Sequence, residues 1–130
     1  MGNSILVTGA GSGIGRATAI RFAAEGYSVL LMGRRAKALE ETQGFLQGEG
    51  HSVLPCDVTD RSAMRQSLQM ALGNPGQSSS PLVAVFANAG IGGANLYDED
   101  ESMDRWEDIM RVNVTGVYVT LHEAKRYLLA

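Results

Sequence analysis

Thr8-Gly9-Ala10-Gly11-Ser12-Gly13-Ile14-Gly15 is the stretch whose reading decides the fold. It follows Ile5-Leu6-Val7, a short apolar run that reads as a buried parallel strand, and it precedes a helical pattern from about Ile14 to Glu25. A glycine-rich turn between a strand and a helix lets a phosphate approach bare backbone while the first N–H groups of the helix point at it. Gly9 suits the turn, Gly13 the close approach, and Gly15 the tight packing of helix on strand. An ordinary turn of another α/β protein is the bland alternative, and the strand–turn–helix context weighs against it. A P-loop is excluded, because no Gly-Lys-Ser/Thr follows the glycines.

Outward from that turn, strands and helices alternate. Ala17, Ile20, Ala23 and Ala24 give the first helix a small-residue face, and Gly26 ends it. The run at 28–32 reads as a second buried strand, followed by Gly33-Arg34-Arg35 and a polar helix from about Ala36 to Gln47. A third strand at 52–56 delivers Asp57-Val58, and Thr59 or Asp60 can cap a helix over 61–72. The composition of 73–81 predicts a disordered loop. The apolar run at 81–87 predicts a fourth strand covered on both faces. Asn88-Ala89-Gly90 closes it, and a glycine-rich loop runs on to Asn95. The acidic cluster Asp98 to Glu101 precedes a long helix from about Met103 to the end of the sequence, where negative charge favours the helix dipole.

Such alternation predicts a doubly wound parallel α/β sheet in three layers, with helices on both faces and strand order 3-2-1-4. Ligands of these sheets bind outside the carboxyl ends of the strands at the topological switch point. The polar and glycine signals of this chain fall there. At 130 residues the chain makes one domain, and its net charge of −3, without a basic stripe, speaks against nucleic acid. A single cysteine, Cys56, points to a reducing compartment, and the start of the first strand near Met1 leaves no room for a targeting peptide. No apolar run approaches the roughly 20 residues of a membrane span. A cytoplasmic protein is the expectation.

The end of the second strand bears on cofactor choice. NAD sites place an acidic side chain there for the ribose 2′-hydroxyl, whereas this chain has Gly33 and then Arg34 and Arg35. Arginine suits a phosphate, so NADP is the expected cofactor; the competing reading is two solvated charges at a helix start. Asp57 faces the adenine side of such a cleft and can also serve as a local cap. Asn88 either contacts the cofactor or satisfies neighbouring backbone. Trp106, Met110, Asn113, Val117 and Leu121 recur at helical spacing, which places Asn113 on the apolar stripe with Gly116 close behind. A satisfied core amide and an active-site residue at a distorted helix are equally open for Asn113. His51 and His122 have no second ligand at metal spacing, so no metal is expected.

The residues Thr8 to Gly15, Asp57-Val58, Asn88-Ala89-Gly90 and Val112-Asn113-Val114-Thr115-Gly116 together resemble the short-chain dehydrogenase/reductase family, in its classical branch. Ala87 departs from the pattern, which has a further asparagine there. The resemblance implies a Rossmann-type domain and hydride transfer between NADP(H) and a carbonyl or alcohol substrate. It implies cofactor contacts from Gly9, Ser12, Gly13, Ile14, Gly15, Asp57, Val58, Asn88, Ala89 and Gly90, beside the Arg34 and Arg35 contacts read above from the end of the second strand. In the family a serine and a Tyr-x-x-x-Lys pair carry the chemistry, and the residue matched by Asn113 supports a water linked to that lysine. Tyr118 is followed four places on by His122, so it does not match the pair. Residues 1–130 are therefore expected to be a truncated cofactor-binding portion, inactive alone, of a protein that is a homo-oligomer in full. A non-catalytic NADP-binding or regulatory module is the alternative, and a Ser with Tyr-x-x-x-Lys in the reading frame beyond Ala130 would separate the two.

Overall fold

A computed structural model describes residues 2–91 and 102–130. Four strands form one parallel sheet of order β3-β2-β1-β4: β1 Ser4–Thr8, β2 Ser28–Gly33, β3 Ser52–Pro55 and β4 Leu82–Phe86. The helices are α1 Gly13–Ala24, α2 Ala36–Gly44, α3 Arg61–Leu72, α4 Ser102–Met110 and α5 Gly116–Leu128, the last two joined through a π-helical turn, Arg111–Thr115. The predicted strand order and layering are those observed. The glycine-rich loop to Asn95 lies partly, and the acidic cluster wholly, outside the described residues.

The alternation of side chains along the central strands separates two cores. Ile5, Val7, Val29 and Leu31 pack against Ala19 and Ala23 of α1 and Leu39 of α2. Leu6, Leu30 and Met32 face the other way, onto Met64 and Leu68 of α3 and Val119 and Tyr127 of α5. Register is set by pairs such as Leu6 with Leu30 and Leu6 with Val85. The carboxyl ends of all four strands therefore come out along one edge of the sheet.

Several expectations need correction. The buried face of α1 is Gly15, Ala19 and Ala23, while Ala17 and Ala24 face solvent. Gly15 lies against the Gly9 carbonyl, and that contact sets the rotational phase of the helix. β4 is not covered on both faces, since Val83 is 46% and Phe86 37% exposed on this edge strand. The loop 73–81 is tied down: the Pro81 carbonyl accepts the Ser4 N–H at 2.8 Å, and the Tyr127 hydroxyl donates to the Gly73 carbonyl at 3.1 Å. Helix α2 stops at Gly44, short of the predicted Gln47.

The largest correction concerns the long helix. Its buried residues are Val112, Gly116, Val119, Thr120, Glu123, Ala124 and Tyr127, whereas Trp106, Met110, Asn113 and Leu121 are exposed. A π turn places one extra residue in the helix and so rotates α5 about the common axis relative to α4. The stripe read at a constant period therefore drifts off the buried face.

Among the described residues Glu123 is the one buried charged side chain, at 1% exposure. It accepts Nε of Arg65 at 2.7 Å and Nε of Arg61 at 3.2 Å, which ties α5 to α3. The Arg65 hydrogen bond, seconded by Arg61, holds its carboxyl below the usual carboxylate range. A carboxyl depressed in the folded state stabilises the fold above its unfolded pKa and loses that contribution as pH falls through the folded one. Glu123→Gln should therefore lower the urea midpoint at neutral pH. The two midpoints should converge as pH drops through the carboxylate range, and parallel curves would contradict this role.

Candidate cofactor-binding site

The glycine turn leaves β1 with Gly9 at φ +65° and enters α1 with Gly13 at φ +54°. The Thr8 hydroxyl, buried at the end of β1, accepts the N–H groups of both Asn88 and Ala89 at 2.9 Å. These bonds hold the segment after β4 beside the turn. Asn88 Nδ2 reaches the Gly9 carbonyl at 3.4 Å, so this side chain does satisfy neighbouring backbone. Ser12 occupies the N-cap of α1 in extended geometry without donating or accepting a capping hydrogen bond. The first N–H groups of α1 are thus without a side-chain cap, as an anion-binding helix start requires.

Beside this turn lies a cleft of about 410 Å³. It brings together Gly9, Ser12, Arg34, Arg35, Asp57, Val58, Ala89 and Gly90 of the expected site residues. Gly13, Ile14, Gly15 and Asn88 do not line it: Gly15 is packed behind the turn, Ile14 is exposed on α1, and Asn88 turns to the Gly9 carbonyl. Gly11, Gly33, Ala38, Leu39, Cys56, Ile91 and Val112 complete the wall. Of these, Gly11 is legible as a member of the glycine turn at 8–15, and the structure adds that a Cβ there would stand 2.9 Å from Cβ of Ala38. Val112 was hidden by the phase change of the π turn.

Asp57 makes a compact turn of its own. Its Oδ1 accepts the Thr59 N–H at 2.9 Å and the Thr59 hydroxyl at 2.7 Å. The backbone bond above all, then the hydroxyl, Arg111 and Arg34, keeps the carboxyl below its ordinary range. Asp60, and not Thr59 or Asp57, caps α3, with Oδ1 accepting the Ala63 N–H at 3.0 Å. Cys56 is buried in the cleft wall, and burial pushes its thiol pKa up, which keeps it protonated.

Asn113 sits in the middle of the π turn and is exposed, not on an apolar stripe. Its amide pairs twice with the Ile91 backbone: Oδ1 accepts the N–H at 2.8 Å and Nδ2 donates to the carbonyl at 2.9 Å. Asn113 thereby holds the Gly90-Ile91 rim of the cleft to the helix. Gly116 allows that helix to lie on Val58, since a Cβ there would come within 2.7 Å of Cγ2. Among the described residues no cluster of His, Cys, Asp and Glu could hold a metal. No described helix is long and apolar enough to cross a membrane.

A four-stranded parallel sheet of order 3-2-1-4 with helices on both faces is the Rossmann-like α/β architecture. The chain belongs to the short chain dehydrogenase family, whose model it matches over residues 3–130. It is 34% identical over 131 residues to a glucose 1-dehydrogenase of Gluconobacter oxydans, covering 98% of this chain and 47% of that protein. It is 35% identical over 126 residues to a sorbose reductase of Schizosaccharomyces pombe, covering 95% and 48%. A 3-ketoacyl-ACP reductase of Sinorhizobium meliloti superposes with a TM-score of 0.79 at 37% identity, over 96% of this chain and 48% of that one. The chain spans about half the length of the curated relatives it matches.

Proposed function

We propose that this chain is the NADP-binding part of an oxidoreductase acting on a small carbonyl or alcohol substrate. The observation that carries the proposal is the pairing of an uncapped α1 N-terminus with Arg34 and Arg35 on one cleft. No carboxylate stands at the end of β2, where Gly33 is followed by the two arginines.

The residues present fit such a cofactor. A Cβ at Gly9 would fall 2.9 Å from Cα of Ala89 and one at Gly11 2.9 Å from Cβ of Ala38, so close packing on its neighbours keeps the turn bare backbone beside the cleft. On this reading the turn from Gly9 to Gly15 cradles the pyrophosphate, and Arg34 and Arg35 take the 2′-phosphate. Asp57 and Val58 border the adenine, while Ala89 and Gly90 form the opposite wall and Asn88 acts through its bond to the Gly9 carbonyl. Asn113 fixes the Gly90-Ile91 rim and is the one residue of this stretch assigned to the active site. When bound, NADP(H) supplies hydride transfer, and the protein contributes position and electrostatics. Dehydrogenase and reductase names among the relatives, on glucose and sorbose, support a hydroxyl or carbonyl substrate. A cytoplasmic homo-oligomer is part of the same proposal, supported by a single buried cysteine and by exposed Trp106, Tyr118 and Leu121 on one long helix.

The test is a titration of NADPH and NADH into the full-length protein and its Arg34→Asp variant. A charged hydrogen bond to the 2′-phosphate is worth about 1.5–3 kcal/mol, roughly a tenfold to hundredfold preference for NADPH. Arg34→Asp should abolish that preference. A clear preference of the unaltered protein for NADH would sink the proposal.

A further inference from the structure

We propose that Arg16 and Thr42, neither of which lines the cleft, are positioning residues that aim the backbone N–H groups of the glycine turn into it; the proposal rests on the cofactor reading above. Three consecutive carbonyls of the turn are each held by a side chain from a different segment. Asn88 holds Gly9, the Thr42 hydroxyl donates to the Ala10 carbonyl at 2.8 Å, and Arg16 Nη2 donates to the Gly11 carbonyl at 2.6 Å. Thr42 and Ala10 are completely buried. The two clamps are themselves joined, because Arg16 Nε donates to the Thr42 hydroxyl oxygen at 2.9 Å. The Arg16 guanidinium also stands over the Phe45 ring, 5.6 Å from its centre.

Peptide geometry supplies the consequence. In a planar trans peptide the carbonyl of one residue and the N–H of the next point in opposite directions. With the Ala10 and Gly11 carbonyls drawn inward onto α2 and Arg16, the N–H groups of Gly11 and Ser12 are turned outward, and both residues line the cleft. Successive N–H groups presented this way form an anion-binding concavity. The Ala10 N–H is kept out of that set, since it donates to the Met32 carbonyl at 3.1 Å. Because the clamp stands behind the turn, its loss should weaken a ligand by freeing the turn, with no direct contact removed. The effect should be confined to ligands that carry a phosphate on the turn.

NADPH and adenosine 2′-monophosphate, which lacks the pyrophosphate, should be titrated into the full-length protein and into Thr42→Val, Thr42→Ser and Arg16→Met. Thr42→Val and Arg16→Met should weaken NADPH by about tenfold or more, the scale of a buried hydrogen bond left unmade. Both should bind the monophosphate as the unaltered protein does, and Thr42→Ser should restore NADPH affinity. If Thr42→Val fails to fold, Arg16→Met and Thr42→Ser decide the matter. Unchanged NADPH affinity, equal losses for both ligands, or no rescue by serine would overturn the proposal. An unaltered protein that binds neither ligand would instead overturn the cofactor reading, and the clamp's role with it.

Discussion

Gly15→Ala should lower the stability of the fold sharply. A Cβ at this position would be driven into the Gly9 carbonyl, with the carbonyl carbon at 2.7 Å and Asn88 Nδ2 at 2.8 Å. The obstacle is backbone of β1's own turn, which cannot rotate aside as a side chain can. Either α1 lifts off the sheet, opening the packing of Ala19 and Ala23 on Ile5 and Val7, or the turn itself is displaced. Overpacking of a tight core commonly costs about 1–3 kcal/mol and more where backbone must move. That is a large share of the roughly 5–15 kcal/mol that holds a domain together. Urea denaturation of the full-length variant checks the expectation. A midpoint equal to that of the unaltered protein would show that the helix does not rest on the turn as described.

Gly13→Val, only two residues away, should fail in the opposite manner. A Cβ there meets no atom within 4 Å, so the fold has room for the side chain. The cost to stability comes from placing a branched residue at φ +54°, about 1–2 kcal/mol, and the native sheet should survive it. The added methyl groups, however, stand at the uncapped start of α1, next to Ser12 on the cleft wall. They should displace the pyrophosphate and lower NADPH affinity by about a hundredfold or more, the equivalent of losing one or two charge-assisted hydrogen bonds. Circular dichroism with a fluorescence titration separates the two effects. A folded variant with unaltered NADPH affinity would mean that the turn does not cradle the cofactor.

The contrast between these glycines is legible in the sequence only in part. The turn stands out because an apolar strand, a glycine cluster and a helix succeed one another without interruption, and strand order comes from the βαβ alternation. Packing distances do not stand out, so the sequence cannot tell that Gly15 is buried under its own turn while Gly13 faces open space. The long helix shows the limit more sharply. Period counting assumes 3.6 residues per turn throughout, and the π turn at Arg111–Thr115 breaks that assumption at the very place where Asn113 lies. The helical pattern marks Asn113 as unusual and puts it on the wrong face. Arg16 and Thr42 give no signal at all, because an arginine after Gly15 and a threonine in a polar helix look like surface residues until their partners are seen. The Glu123 pairing with Arg61 and Arg65 is invisible for the same reason, with 62 and 58 positions respectively separating the partners.

The central claim is that the cleft beside the glycine turn binds NADP(H), and a crystal structure of the full-length protein with NADPH tests it most directly. The pyrophosphate is expected on the N–H groups of Gly11 and Ser12 and of the first turn of α1. The 2′-phosphate is expected in hydrogen-bond contact with Arg34 or Arg35, and the adenine beside Asp57 and Val58. NADPH bound away from this cleft, or bound in it with the 2′-phosphate directed away from both arginines, would contradict the claim.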